Sequence, residues 1–435
     1  MTESERGRSP RLGSNIRIAI LSALVLVLAG CAATVAWRFS RSIDVDADPA
    51  FALRRPAPDG IPGGRSPAAG RTPASASTPA DSFPSGVERL DDVLEPIRAR
   101  HRVPALALAI VRGDSLRALG VVGVRRAGQR EPAKWYDRFH IGSDTKSITA
   151  TLVAMLIDDG RLRWDTTLEQ LFPDLVPRMR PEYRRVTVEM LMHHRSGLPD
   201  DREDAVVFAR LRALRGSTRE QRLEGVALAL GRRPASPPGT KCVYANANFG
   251  ILGAAVERIT GDSWESQGRR RVFEPLGMRT AGFGSPNTPG RLDQPCGHHI
   301  FRRWPPRLFW IDATRLPKAS AASGNVSLSM SDWARYASLH LDAARGRCRL
   351  LSCASFDRLH AEQPPDSHFA AGWGVARGDS LGPELQHVGS DGWWYAVIVI
   401  APNRDVAMLA AANIGGERGQ DACMDAMMLA RRRIR

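Results

Sequence analysis

Strand-forming stretches sit at both ends of a long helical middle, and that arrangement leaves few architectures open. Near the front, the apolar runs Val103 to Val111 and Leu116 to Val124 are joined by Arg-Gly-Asp-Ser and read as a β-hairpin. Near the back, "GWGVARG", "ELQHVG" and "WWYAVIVIAPNRDVAMLAAAN" read as strands, the last folding back on itself at Pro402 to Asp405. Helical patterns dominate from Ser143 to about Trp333. Thr187 to His194 stops at Gly197, and Asn246 to Ile259 carries Phe249, Leu252, Val256 and Ile259 on one face before Gly261. Strand backbones must find hydrogen-bond partners, so the end strands are expected to pair with each other. The chain should therefore be α+β: an antiparallel sheet built from N- and C-terminal strands and flanked by helices, with an inserted, mostly helical region.

The folded domain is expected to span residues 85–435. It opens with a capping box, Ser85 and Glu88, and a helical stripe at Val87, Leu90, Leu94 and Ile97 that Pro96 can kink, and it closes with a helix from about Gln420 to Arg433. Residues 38–84 are rich in Pro, Ala, Ser and Gly with little to bury, which reads as a disordered tether. Residues 1–37 place Arg6, Arg8, Arg11 and Arg17 before the uncharged run "IAILSALVLVLAGCAATVAW". This is an export pattern. Leu28-Ala29-Gly30-Cys31 resembles a bacterial lipoprotein signal with Cys31 as the lipidated residue, and an uncleaved membrane anchor is the rival reading because the apolar run continues past it. Both put the remainder in the cell envelope, tethered to a membrane through its N-terminus, with the domain in the periplasm or outside the cell.

Export permits disulfides. After Cys31 come Cys242, Cys296, Cys348, Cys353 and Cys423, an odd number, so at least one is unpaired or joins two chains. Cys348 with Cys353 closes a short loop, and Cys242 with Cys296 is a second pairing to test. The net charge of +15 does not imply a nucleic-acid partner, because the 61 basic residues are scattered and their dense runs are short. No spacing suggests a structural zinc site, and the adjacent pairs His193-His194 and His298-His299 cannot direct both rings to one face, so neither metal nor other cofactor is expected. Oligomeric state is not readable from the sequence.

Three stretches supply the groups that acyl transfer needs. In "IGSDTKSITATLVAMLIDDG", Ser143 and Lys146 stand three apart at the head of what reads as an amphipathic helix, so the amine can reach the hydroxyl while the helix N-terminus favours an oxyanion. For Lys146 to act as a base near neutral pH, its pKa must fall by roughly 3 units, worth about 4 kcal/mol, through burial or a nearby cation. In "KCVYANANFGILG", Tyr244 can shuttle a proton to a leaving group, and Asn246 can orient the lysine and hold a substrate amide oxygen. In His387-Val388-Gly389-Ser390, Gly389 lets a substrate lie close to the strand and the Ser390 N–H can serve as an oxyanion donor.

Together with "FHIGSDTKSITA", "VEMLMHHRSGLP", "YANANFGILG", "PLGM" and "SLSMSDWARYA", these stretches resemble the serine beta-lactamase and penicillin-binding protein superfamily, in its class C-like and esterase-like branch, over about residues 85–433. The resemblance implies Ser143 as nucleophile, Lys146 and Tyr244 as the proton-transfer pair, Asn246 as a polar aid, and the N–H groups of Ser143 and Ser390 as the oxyanion hole. His387 stands where penicillin-recognising members carry a lysine, so the permanent charge that grips a substrate carboxylate is absent. The expectation is an exported serine hydrolase cleaving a small ester, amide or peptide without a cofactor; the alternatives are a low-activity beta-lactamase or D,D-peptidase, and a non-catalytic envelope binding or sensor module. The stretch from about Arg279 to Ser320 is expected to wall the cleft.

Overall fold

The computed structural model describes residues 82–434 apart from 203, 302–306, 312–315, 366 and 378–380. The export segment, Cys31 and most of the tether lie outside the described residues. The first element among the described residues is β1 (Glu88–Arg89), and the first helix, α1 (Asp91–His101), starts five residues later than a Ser85/Glu88 capping box requires. Glu88 is instead drawn into backbone pairing with Ala118. Leu90, Leu94 and Ile97 are buried as the stripe predicts, and α1 runs through Pro96.

The hairpin follows as β2 (Ala105–Arg112) and β3 (Ser115–Gly123), and β4 (Phe139–His140), β5 (Gly282–Phe283) and β8 (Val326–Leu328) form a separate three-stranded sheet. Far downstream come β9 (Phe369–Ala370), β10 (Trp373–Ala376), β11 (Glu384–Ser390), β12 (Tyr395–Ala401) and β13 (Val406–Ala412), which complete one sheet in the order β1-β3-β2-β13-β12-β11-β10-β9. Every pairing in it is antiparallel except β1 with β3, and β13 lies against β2, joining the two ends of the domain. All residues of β12 and β13 are buried, which explains why they read as continuous apolar runs without polar alternation. Val406, Met408, Ala410 and Ala412 belong to the core under α1 and the C-terminal helix Gly416–Arg433, which contributes Ala422, Cys423, Ala426 and Ala430. The opposite face of the sheet carries the helix Met330–Ala344.

The inserted region is mainly helical, with α2 (Thr145–Asp158), α3 (Ala205–Ala213), α4 (Thr218–Leu230) and α5 (Asn246–Thr260) as its main members. Every residue of α2 from Thr145 to Leu156 is buried. It is a core helix and not the amphipathic one expected, because elements pack on all its sides. Helix α5 ends where the sequence places it, with Gly261 in the left-handed conformation at φ 76°. Its glycines permit one close approach: a Cβ on Gly253 would lie 2.5 Å from the Ala322 side chain, and one on Gly250 2.9 Å from the Ala319 carbonyl. The segment 319–324 therefore sits directly on α5. The Cys348–Cys353 disulfide is present, whereas Cys242 and Cys296 are not joined.

Candidate active site

Ser143 lies in a tight turn, Gly142–Asp144, that leads into α2. It is partly exposed in an otherwise buried run, so its hydroxyl is the reachable group there. The amine of Lys146, one turn on, donates to Ser143 Oγ at 3.1 Å, to Asn246 Oδ1 at 2.9 Å and to the Ser323 carbonyl at 2.7 Å. The last contact depends on the glycine faces of α5 that bring 319–324 close. It was invisible in the sequence because any residue can supply a carbonyl. Burial lowers the Lys146 pKa to about 7, helped by Arg202 and opposed by Asp201 and Asp144. A neutral amine here keeps two N–H groups for Asn246 and Ser323 and turns its lone pair toward the Ser143 hydroxyl.

Tyr244 is partly exposed but buries its hydroxyl beside the amine, its ring 4.9 Å from Lys146 Nζ and stacked on His194 at 4.4 Å between centroids. Burial raises its phenol pKa, against the lowering effect of its hydrogen bond with Ser143. The phenol therefore stays protonated at neutral pH and can relay a proton, which leaves the amine as the base. His194 accepts at Nδ1 from the Ala245 N–H at 3.2 Å and faces the Asn248 amide at 3.0 Å, and burial keeps the ring neutral. These bonds fix the ring against which Tyr244 rests.

Asp201 also escaped the sequence reading. Its carboxylate accepts from the backbone N–H groups of Asn246 at 2.7 Å and Ala247 at 2.8 Å, capping α5 from a distant loop where the residue preceding the helix, Ala245, has no side chain to do so. The cap fixes the residue whose side chain holds Lys146. A signal exists in the sequence, since α5 begins without its own capping side chain, but nothing local names the acceptor.

Strand β11 forms the other wall. Its pairing with β10 stops at Gln386, and along the freed edge of His387 to Ser390 lies the nucleophile turn. A Cβ on Gly389 would sit 1.8 Å from the Ile141 carbonyl, and one on Gly142, at φ 51°, would sit 2.5 Å from the Ser390 nitrogen. Gly389 thus makes room for the turn that carries Ser143 and not, as expected from the sequence, for a substrate. The Ser390 N–H faces that turn, while its hydroxyl donates to the Trp394 carbonyl at 2.7 Å and braces the 390–394 corner. His387 places Nδ1 3.4 Å from Asp144 Oδ1, and burial and Lys146 depress its pKa to about 3. Asn246, His387, Gly389 and Ser390 all join Ser143, Lys146 and Tyr244 at this place.

The stretch expected to wall the cleft contains the hairpin β6 (Gly297–Phe301) and β7 (Arg307–Ile311), laid on the corner beyond Ser390 by the His298 N–H bond to the Trp393 carbonyl at 3.0 Å. His298 is buried with Nδ1 2.6 Å from the Asn413 carbonyl, and His299 turns to Gly392, so each is structural. Among the described residues no cluster of His, Cys, Asp or Glu is placed to hold a metal. A cavity of about 100 Å³ lies behind Asp201 and Ala247 between α3, α4 and α5, and Ser143 is not in its lining.

A serine hydroxyl, a buried lysine and a tyrosine brought together on this sheet and helical insert match the beta-lactamase family model over residues 90–430. The chain belongs to the beta-lactamase family. Penicillin-binding protein 4 of Amycolatopsis lactamdurans is 30% identical over 333 residues, covering 74% of this chain and 84% of that protein. An octameric penicillin-binding protein homologue from Pyrococcus abyssi superposes with a TM-score of 0.65 at 22% identity, over 78% of this chain and 76% of the other. D-amino acid amidase from Ochrobactrum anthropi SV3, solved with L-phenylalanine amide, superposes with a TM-score of 0.61 at 20% identity, over 78% of this chain and 99% of the other. These two share the fold. Membership in the family makes the chain a serine hydrolase in the broad sense, and the 30% identity to a penicillin-binding protein places it in the serine beta-lactamase and penicillin-binding protein superfamily.

Proposed function

We propose that the protein hydrolyses a small ester or amide through an acyl-enzyme at Ser143, without a cofactor. The observation that carries this is Lys146 Nζ, buried and held between Ser143 Oγ, Asn246 Oδ1 and the Ser323 carbonyl, with its pKa lowered to about 7. The neutral amine takes the Ser143 proton as Oγ attacks the carbonyl carbon, and the backbone N–H groups of Ser143 and Ser390 hold the oxyanion. Tyr244 gives its phenol proton to the leaving group and takes up the one held by Lys146, and water then releases the acyl group. That the amidase neighbour was solved with an amide supports an amide among the substrates. A fluorophosphonate probe should label the wild-type chain, and Ser143→Ala should abolish the label. A folded wild-type chain that takes no label would leave a non-catalytic binding or sensor module as the better reading.

The second reading is a low-activity beta-lactamase or D,D-peptidase, favoured by the 30% identity to a penicillin-binding protein. Against it stands His387, whose ring is neutral in this site. Turnover of nitrocefin comparable with that of a p-nitrophenyl ester would favour this second reading. We also propose that the domain is exported and tethered to a membrane by its N-terminal segment. The Cys348–Cys353 disulfide supports an oxidising compartment.

A further inference from the structure

Asp144, the residue after the nucleophile, has no part in the mechanism above and is entirely buried. Neither of its carboxylate oxygens makes a well-aligned hydrogen bond, and the near polar group is the His387 ring, with Nδ1 3.4 Å from Oδ1. A buried carboxyl kept beside a nucleophile in this way asks for a reason. We propose that Asp144 and the Val388 carbonyl fix the proton of His387 on Nδ1, so that Nε2 offers a lone pair to the site and selects substrates with an N–H donor near the scissile carbonyl over substrates with a carboxylate there. This rests on the serine hydrolase reading and specifies its substrate class.

The argument is one of partners. His387 Nδ1 lies 3.0 Å from the Val388 carbonyl oxygen and 3.4 Å from Asp144 Oδ1. A carbonyl only accepts, and it is the nearer of the two, so the hydrogen belongs on Nδ1 whether or not Asp144 carries a proton. Burial and the charge of Lys146 keep the ring from taking a second proton. In a neutral ring protonated at Nδ1, Nε2 is an acceptor. His387 shares a strand face with Gly389, which packs on the nucleophile turn, and it lies within electrostatic reach of Lys146 and His194. Arg202, a permanent cation near Tyr244, is paired with Asp200 at 2.5 Å, which offsets its charge. A carboxylate at this wall would face a lone pair with the Asp144 carboxyl behind it, while an ammonium or amide N–H would gain a hydrogen bond.

The test uses two matched p-nitrophenyl esters, of β-alanine with a terminal ammonium and of succinic acid with a terminal carboxylate, on the full-length chain. The wild type should favour the β-alanine ester in kcat/KM by at least about tenfold, the value of one modest charge-assisted contact. His387→Lys alone should bring the two rates close together, because Asp144 neutralises the new ammonium, and His387→Lys with Asp144→Asn should reverse the preference. Wild-type preference for the succinyl ester, or full reversal by the single substitution, overturns the proposal. A readout that needs no turnover is the ¹⁵N shift of His387 Nε2 in histidine-labelled protein, identified by its loss in His387→Gln. An unprotonated Nε2 is expected, and a protonated one defeats the idea. Fluorophosphonate labelling separates the two failures: a labelled enzyme with the opposite preference sinks only this inference, whereas a folded chain with neither label nor turnover sinks the hydrolase reading as well.

Discussion

Burial does two things to Lys146: it makes the amine a usable base near neutral pH, and it makes the protonated amine expensive to keep in the fold. The rate should follow the neutral form, so kcat/KM for a p-nitrophenyl ester is expected to rise with pH through about 7 and then level. Stability should move the same way. Between about 7 and the ordinary value of 10.5 the unfolded chain binds a proton that the native lysine does not, so this group's contribution to unfolding free energy increases across that window. Lys146→Arg should lower turnover by about 10² to 10⁴, since guanidinium does not deprotonate in a protein. The site is closed around the amine, so the larger side chain should also cost about 1–3 kcal/mol, measurable by urea unfolding. Turnover within a few-fold of wild type would remove Lys146 from the role of base. At this scale the sequence was informative: the spacing of Ser143 and Lys146 already placed one over the other. It could not show the Ser323 carbonyl, and it gave no reason to choose Asp201 among the chain's acidic residues.

Elements meet here through missing side chains. Strand β11 reaches the nucleophile turn only because Gly389 and Gly142 leave space, and α5 reaches the 319–324 segment through Gly250 and Gly253. Gly389→Ala would put a methyl group 1.8 Å from the Ile141 carbonyl and 2.8 Å from Asp144 Oδ2. It should destabilise the fold by about 1–3 kcal/mol and slow fluorophosphonate labelling of Ser143 by about tenfold or more. An alanine variant that labels at the wild-type rate would show that the strand and the turn are not held this tightly. The glycine is visible in the sequence but its partner is not, so a local reading gives the space it leaves to a substrate while packing gives it to the Ile141 carbonyl. Helix α2 departs from its amphipathic pattern for a related reason: its apolar spacing fits one buried face, yet Thr145, Ser147, Thr149 and Thr151 are buried too, with Ser147, Thr149 and Thr151 bonded to the Asp144 carbonyl, the Ala322 carbonyl and the Tyr336 hydroxyl.

Across the molecule, the pairing of β13 with β2 makes the domain one unit, because the strand from the C-terminal end completes the sheet begun near the N-terminal end. The Cys348–Cys353 bridge contributes little to that closure, since it spans only five positions between the helices Met330–Ala344 and Cys353–His360. Replacing both cysteines by serine should cost about 2 kcal/mol or less by loop-entropy reasoning, with ester turnover unchanged. A much larger loss in urea unfolding would mean that the bridge orders more than its own loop. Hydrophobic periodicity and turn residues are local properties, so the chain's letters determined the strands, α5, its glycine stop and the spacing of Ser143 with Lys146. Which strand lies beside which, that Asp201 caps α5, and that His387 stands over Asp144 were decided by tertiary structure alone, because each joins segments that only packing brings within a few ångströms.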